Sequence, residues 1–407
     1  MTSRNATGEG IRTGRLLASA ACIAVAVMIA LDRGFYARVS NDVFFSILMA
    51  SAAIVFLHVR PWREVWQLAA AFCALVAGQV WVLRVPIEAA PAGATLGVAT
   101  FLLLALRRIW SESSQEKERL RLGLLPPLLL VLLGYSSSGL LAQIARRHPV
   151  TLDLYLYAFD GSLGLQPSFL VGGMVLRSTW LTRMCVFCYY ALPVALLLVY
   201  AQQLVRSGKF TLRVFLAFLL AGPVGIMFYN LCPACGPIYL FPAQFPRDPM
   251  TATQARELFL HPVAVNGARN AFPSLHMAWA LLAWWYGKGL SPWTRALLLF
   301  VLAGTILATL GLGEHYFVDL VAAVPFAVMM QAGVAGIALR DRRRFVPLFA
   351  GLLWTLAWAG LLRFGVGMMR VSPPVPWTLV ACTVVSCIVW QSRLAGIGRD
   401  VKTDSPN

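Results

Sequence analysis

An all-α, polytopic membrane fold of about twelve transmembrane helices is what this sequence predicts, and three observations carry that expectation. Hydrophobic residues make up 59% of the 407 and charged residues only 13%, with a mean hydropathy of +0.72; soluble proteins keep a far more even apolar share. Apolar runs of about 16 to 22 residues recur from Leu16 to Trp390, close to the roughly 20 that a helix needs to cross about 30 Å of hydrocarbon. The basic residues cluster in alternate loops, the positive-inside pattern of a chain that crosses repeatedly.

Taken in order, four spans are expected near 16–31, 43–58, 67–83 and 92–106. Arg12 and Arg15 precede the first, and its small residues imitate a signal peptide. No clear cleavage site follows it, so it is read as a helix. Arg107 to Arg121, with mixed charges and Ser111, Ser113 and Ser114, reads as a cytoplasmic linker. A fifth span near 123–144 is interrupted by Pro126, Pro127 and Ser136 to Ser138. Thr151 to Leu176 carries Asp153, Asp160 and repeated glycines, which suit an interfacial or re-entrant piece better than a lipid-facing crossing.

Spans near 180–202 and 212–231 lead into a proline-rich loop, Cys232 to Asn270, holding Arg247, Arg256 and Arg269. Ordered loops of that length usually serve a site. Spans near 273–288, 294–312, 316–338, 346–362 and 375–391 and a polar tail to Asn407 complete the chain, with no internal repeat. The regions expected are therefore an N-terminal four-helix membrane region with its linker (1–121), a core (122–340), a two-helix C-terminal extension (341–395) and the tail (396–407).

A net charge of +17 and blocks such as Arg340 and Arg342 to Arg344 would suit a nucleic-acid backbone. The alternation of the clusters argues against that partner: they sit at 4–15, 60–63, 107–121, 206–213, 288–295, 340–344 and 393–402. This places both termini in the cytoplasm and the 232–270 loop outside, with anionic lipid head groups as ordinary neighbours of the basic loops. Arginine greatly outnumbers lysine, the composition of a GC-rich bacterium, so the expected home is a bacterial inner membrane.

Two of the five histidines stand out. His276 lies in Gly267-Ala-Arg269-Asn270-Ala-Phe272-Pro273-Ser274-Leu275-His276, directly before the apolar run Met277 to Tyr286. It should occupy a first helical turn, where Pro273 is tolerated because its missing N–H costs nothing. The unpaired N–H groups there form an anion site, to which Arg269 and Ser274 can add donors. His315 and Asp319 lie in Gly313-Glu314-His315-Tyr316-Phe317-Val318-Asp319, an i,i+4 spacing that puts both on one helix face. A carboxylate so placed fixes the imidazole tautomer and makes the other ring nitrogen a competent nucleophile. The chain descends after His276, turns at 288–295 and climbs back before His315, so both histidines are expected at one outer surface.

Phe272-Pro273-Ser274-Leu275-His276 and His315-Tyr316-Phe317-Val318-Asp319 resemble the second and third motifs of the type 2 phosphatidic acid phosphatase superfamily. Within it they look most like the inositolphosphotransferase branch of inositol phosphorylceramide synthases and their bacterial relatives. The resemblance runs over about Leu124 to Leu339, taking in Asp153 to Gly164 and Pro233 to Pro237. It implies a six-helix core working through a phosphohistidine: His315 attacks phosphorus, Asp319 orients it, His276 protonates the leaving oxygen, and Arg269 and Ser274 bind phosphoryl oxygens. It implies neither metal nor other cofactor. The sequence departs from the superfamily in two places. Its only Arg-Pro, Arg60-Pro61, lacks the lysine of a Lys-x6-Arg-Pro motif and falls on the cytoplasmic side; Ala308 and Thr309 replace the usual Ser-Arg pair. Charge neutralisation then falls to Arg269, Arg247 and Arg256, in that order.

The function expected is a lipid phosphatase or phosphotransferase at the periplasmic face. Its substrate is a lipid phosphate or a prenyl phosphate or diphosphate, and its acceptor water, a lipid or a glycan. A non-catalytic twelve-helix lipid transporter or flippase, or an envelope-glycan assembly subunit, is the competing reading. Cys232-Pro-Ala-Cys235 has redox-motif spacing but no thioredoxin-like context, and a structural disulfide within it or to Cys185/Cys188 is the plainer expectation.

Overall fold

The computed structural model describes residues 2–207, 211–339, 342–370 and 372–403. Its helices, in chain order, are α1 (Thr2–Ala30), α2 (Arg33–Asn41), α3 (Val43–Val59), α4 (Val65–Leu83), α5 (Ala89–Trp110), α6 (Ser114–Arg147), α7 (Asp153–Ser162), α8 (Pro167–Arg177) and α9 (Thr179–Ser207). There follow α10 (Thr211–Leu231), α11 (Pro237–Leu240), α12 (Ala252–Glu257), α13 (Leu275–Tyr286), α14 (Pro292–Gly311), α15 (Phe317–Leu339), α16 (Phe345–Gly360), α17 (Val366–Met369) and α18 (Pro374–Thr403). Two strands of two residues each, β1 (Val150–Thr151) and β2 (Val263–Ala264), pair antiparallel with Val150 opposite Ala264.

Among the described residues nine helices are long and apolar enough to cross a bilayer. Counting each of two bent pairs as one span, Arg33–Asn41 with Val43–Val59 (103°) and Thr179–Tyr190 with Leu192–Arg206 (46°), raises the number to eleven. The twelfth expected span, near 273–288, is α13, whose 12 residues rise only about 18 Å, short of the roughly 30 Å of hydrocarbon. The polar stretch 107–121 is not an open linker: α5 runs to Trp110 and α6 begins at Ser114. Its charges hold this helical corner together, Arg60 pairing with Glu64 and Glu116 and Arg107 with Glu64. Pro126 and Pro127 lie inside α6 without ending it. Thr151 to Leu176 forms α7 and α8, of 10 and 11 residues, too short to span.

The chain divides into two compact units, residues 1–135 with 193–211 and residues 136–192 with 212–407. In the first, α3 and α5 pack closely because Gly97 lies against the Met49 backbone, with no room for a Cβ. The buried amide of Gln79 is satisfied by Ala30 O (2.9 Å) and the Thr95 hydroxyl (3.0 Å), as a polar group inside an apolar bundle requires.

In the second unit α15 is the buried axis, with α13, α16 and α18 packed on it. Trp358 of α16 meets Phe159 of α7 edge-on at 5.2 Å and donates to Thr383 Oγ1 at 3.2 Å. Arg370 donates to the Ala255 and Leu258 carbonyls at 2.7 Å each, and Trp377 Nε1 to Leu163 O at 3.0 Å. The C-terminal helices thus fasten the long loop and α7, and α7 in turn positions the site.

Candidate active site

The site begins with two buried carboxylates on α7. Asp153 and Asp160 are seven residues apart, two turns on one face. Asp153 accepts from the backbone N–H groups of Cys235 (3.1 Å) and Gly236 (2.8 Å) and from the Tyr316 hydroxyl (2.9 Å). Asp160 accepts from the N–H groups of Phe317 (2.7 Å) and Val318 (3.2 Å), so it caps α15, where free N–H groups and the dipole favour an anion. Burial pushes both carboxyls upward, Asp160 well above the usual range, and the donors pull back. One short helix therefore clamps both the Pro233–Gly236 loop and the segment carrying His315.

Gly236 makes this junction close. Its φ is +125°, Ile238 N–H donates to Gly313 O at 3.1 Å, and an added Cβ would collide with the carbonyls of Gly313 and Glu314. Gly236→Ala is expected to cost about 1–3 kcal/mol, read as a fall of several degrees in thermal unfolding in detergent. An unchanged midpoint would refute the close approach.

His315 is buried (3% exposed) and held on every side. Its N–H donates to Thr309 O (3.0 Å), and its carbonyl accepts from Ser168 Oγ (2.8 Å). Nδ1 faces Ala271 O at 3.0 Å and Asp319 Oδ2 at 3.5 Å. Both neighbours only accept, so Nδ1 carries the proton and Nε2 of the neutral ring keeps its lone pair. Nε2 faces Ser274 Oγ at 3.2 Å. Asp319 Oδ2 also accepts from Tyr316 N–H at 2.8 Å, so the nearest oxygen to Nδ1 is the Ala271 carbonyl, a partner invisible to the i,i+4 spacing.

Ser274 is the N-cap of α13: its Oγ accepts from Met277 N–H at 3.3 Å while facing His315. His276 sits in the same first turn, its ring stacked on Tyr189 at 4.0 Å and edge-on to His315, 6.3 Å between centroids. Ser274→Ala should destabilise by about 1 kcal/mol as a lost cap. It should also slow turnover roughly tenfold, the worth of one hydrogen bond; an unchanged rate would remove Ser274 from the site.

Arg269 is almost fully buried, with Nε on His148 O (3.1 Å), Nη2 on Pro149 O (3.2 Å) and Nη1 on Gly267 O and Cys235 Sγ (3.7 Å). Four of its five N–H groups are thereby engaged. Arg247 is exposed on the 241–247 turn, whose Phe245 packs against Gly313, two residues before His315. The Arg256 side chain lies outside the described residues. Glu314 is partly buried beside His315 and accepts from Tyr239 OH at 3.2 Å. Burial raises its carboxyl, and burial with Glu314 nearby pushes the Tyr239 phenol up to about 12. All eight cysteines are free thiols. Among the described residues no group of three or more His, Cys, Asp or Glu is placed to hold a metal.

Sequence reasoning missed Asp153 and Asp160 as clamps, Ser168 and Tyr189 entirely, and the role of Tyr316, which it named only within the His315 motif. The available signal was two carboxylates seven apart in an apolar helix, where a buried acid needs partners. A family model described as PAP2 superfamily matches residues 154–333, the stretch that holds His276, His315, Asp319, Ser274, Arg269 and Arg247. Neither the curated proteins nor the solved structures searched give a match.

Proposed function

We propose that this chain is a membrane lipid phosphatase or phosphotransferase that cleaves or transfers a lipid-linked phosphate ester through a phosphohistidine on His315. The observation that carries the reading is the oriented imidazole: Nδ1 held by two acceptors and Nε2 facing a helix N-terminus, with a second histidine 6.3 Å away. Its position inside the stretch that matches the PAP2 superfamily model supports it.

In the first step the Nε2 lone pair forms an N–P bond and the P–O bond to the leaving alcohol breaks. That oxygen takes a proton from His276. Burial, and then the neighbouring His315, hold this ring's pKa down to about 3, so the proton must be drawn onto it by the negative charge of the bound phosphate. In the second step His276, now neutral, removes a proton from water or an alcohol as its oxygen attacks phosphorus. The N–P bond breaks and the electron pair returns to Nε2. Asp319 and the Ala271 carbonyl stabilise the cationic ring formed between the steps. The N–H groups of α13's first turn, the Ser274 hydroxyl and the buried charge of Arg269 with its remaining N–H neutralise the phosphoryl oxygens. Hydrolysis and transfer share this intermediate and part only at the acceptor. The basic clusters at 4–15, 60–63, 107–121 and 206–213, whose alternation does not depend on α13, support a periplasmic 232–270 loop.

The test is phosphate release and lipid product analysis by purified protein in detergent, over a panel of phospholipids and prenyl diphosphates. Free phosphate marks a phosphatase, and a new phosphorylated lipid without it a transferase. Vanadate, which adopts the five-coordinate geometry of the transition state, should inhibit, and chelators should not. Activity abolished by chelators would sink the metal-free mechanism. Silence across the panel would return the chain to the transporter reading.

A further inference from the structure

Tyr189 stands against His276 with no part in the chemistry proposed above. Its ring lies face to face with the imidazole, 4.0 Å between centroids and 25° between planes, whereas His315 meets the same imidazole edge-on at 6.3 Å. The stack is built into the fold. Cys188, the preceding residue, is fully buried against Gly304 of α14, where an added Cβ would collide with its Sγ. Tyr189 itself packs against the buried cluster of Val175, Cys185 and Ala308. Helix α14 then ends at Gly311, and its Thr309 carbonyl accepts the His315 N–H at 3.0 Å. One helix therefore sets both aromatic neighbours of His276.

A stacked phenol acts differently on the two protonation states of a histidine. The aromatic face is negative, so it attracts a cation held within about 6 Å of its centroid and gives a neutral ring little beyond contact. Burial and the edge-on His315 both disfavour the charged His276; the Tyr189 face favours it. The phenols of Tyr190 on α9, Tyr229 on α10 and Tyr239 on the 232–270 loop, with the Glu314 carboxyl, stand near Tyr189. Arg269 directs its N–H groups to the His148 and Pro149 carbonyls, and Asp319 lies beyond His315, at Nδ1. Of these titratable neighbours, Tyr189 is the one whose ring face covers His276.

We propose that Tyr189 is a positioning residue for proton transfer, holding the His276 ring beside His315 and stabilising its imidazolium through the stacked phenol face, a role that rests on the phosphohistidine reading of this site. The proton comes from solvent under the charge of the bound phosphate and sits on His276 against the phenol. It passes to the leaving oxygen as the P–O bond breaks. The neutral ring that remains is kept in place by the same stack, ready to take a proton from the acceptor in the second step.

The test follows the His276 ring by NMR from pH 4 to 9 in the full-length protein in detergent, with isotope-labelled histidine, inorganic phosphate as the ligand and His276→Gln to assign the signal. Tyr189→Leu should lower the titration midpoint by about one pH unit, tenfold in the protonation constant. Tyr189→Phe keeps an aromatic face and should stay near wild type. Trifluorophenylalanine at position 189 keeps the shape of phenylalanine but drains its face, so its midpoint should fall below that of Tyr189→Phe with the packing unchanged. Because the protonated ring is the active form in the first step, the high-pH limb of kcat for an alkyl phosphate ester should move to lower pH by the same amount. A nitrophenyl ester, whose leaving group needs no proton, should not show that shift. Equal midpoints for phenylalanine and its trifluoro analogue, or a His276 that stays neutral to pH 4 with phosphate present, would each overturn the proposal. Turnover whose pH limb ignores position 189 would remove this role and leave the phosphohistidine standing. A midpoint that follows the ring face in a protein that turns over no phosphoester would do the reverse.

Discussion

Turnover should fall on the order of 10⁴-fold or more when His315 is replaced by asparagine, because the group lost is the nucleophile itself and no neighbour can supply its electron pair. The side chains nearest Nε2 and Nδ1 are the Ser274 hydroxyl and the Asp319 carboxylate, and neither is a thiolate or free amine. Asparagine can still donate toward the Ala271 carbonyl, so the fold should survive and the thermal midpoint should stay near that of the wild type. His276→Gln should lose less, roughly 10² to 10⁴, the usual worth of general acid–base catalysis. The two variants separate with a substrate whose leaving group is a nitrophenol, which departs without a proton. That substrate should recover much of the first step in His276→Gln and none in His315→Asn. Rates within tenfold of wild type for His315→Asn, measured as phosphate release or lipid product, would discard the site.

The membrane-helical class and most span positions were legible because each rests on local composition: a run near 20 apolar residues is its own evidence. The span count was less so. Helix α13 looks like a span because an unbroken apolar run, Met277 to Tyr286, follows His276 directly, yet that run is short and the chain turns at Gly287 with its N–H on Ala283 O. The 107–121 stretch read as a linker because it is charged, and its charges are in fact paired across distant helices, Glu116 with Arg60 and Glu112 with Arg15. No local pattern reveals such partners. His276 does sit in the first turn that helix-start chemistry predicts, with Ser274 as its N-cap. The i,i+4 spacing pointed to His315 with Asp319 but put both on one helix face, whereas α15 begins at Phe317 and His315 lies in the turn before it. Arg269 was readable as a nearby cation but not as one wrapped by the carbonyls of His148 and Pro149, about 120 positions away in sequence. Asp153 and Asp160 are harder still: their partners lie 82 to 163 positions away, and without those partners polar residues in α7 suggest an interface and not a clamp.

That clamp yields the second large effect. Asp153→Ala should destabilise the second unit by on the order of 4 to 6 kcal/mol, since it orphans two backbone N–H groups and a phenol, each costing about 1–3 kcal/mol when buried and unpaired. Asp153 is 0% exposed, so water cannot replace the carboxylate without opening the junction of α7, the 233–236 loop and Tyr316. A loss of that size is comparable to the whole stability of many domains. The variant should therefore accumulate poorly or melt more than about 10 °C below wild type in detergent. Tyr316→Phe removes one of the three donors and leaves the carboxylate its two N–H partners, so it should cost only about 1 kcal/mol. Asp153→Asn should fall between them: its oxygen can serve Gly236 and Tyr316, but its amide turns a donor toward the Cys235 N–H. Because the two residues share a hydrogen bond of 2.9 Å, Asp153→Asn with Tyr316→Phe should be less destabilising than the sum of the single changes. A melting temperature for Asp153→Ala within about 2 °C of wild type would show that α7 does not hold the site. In that event the placement of His315 would have to come from α14 and α15 alone.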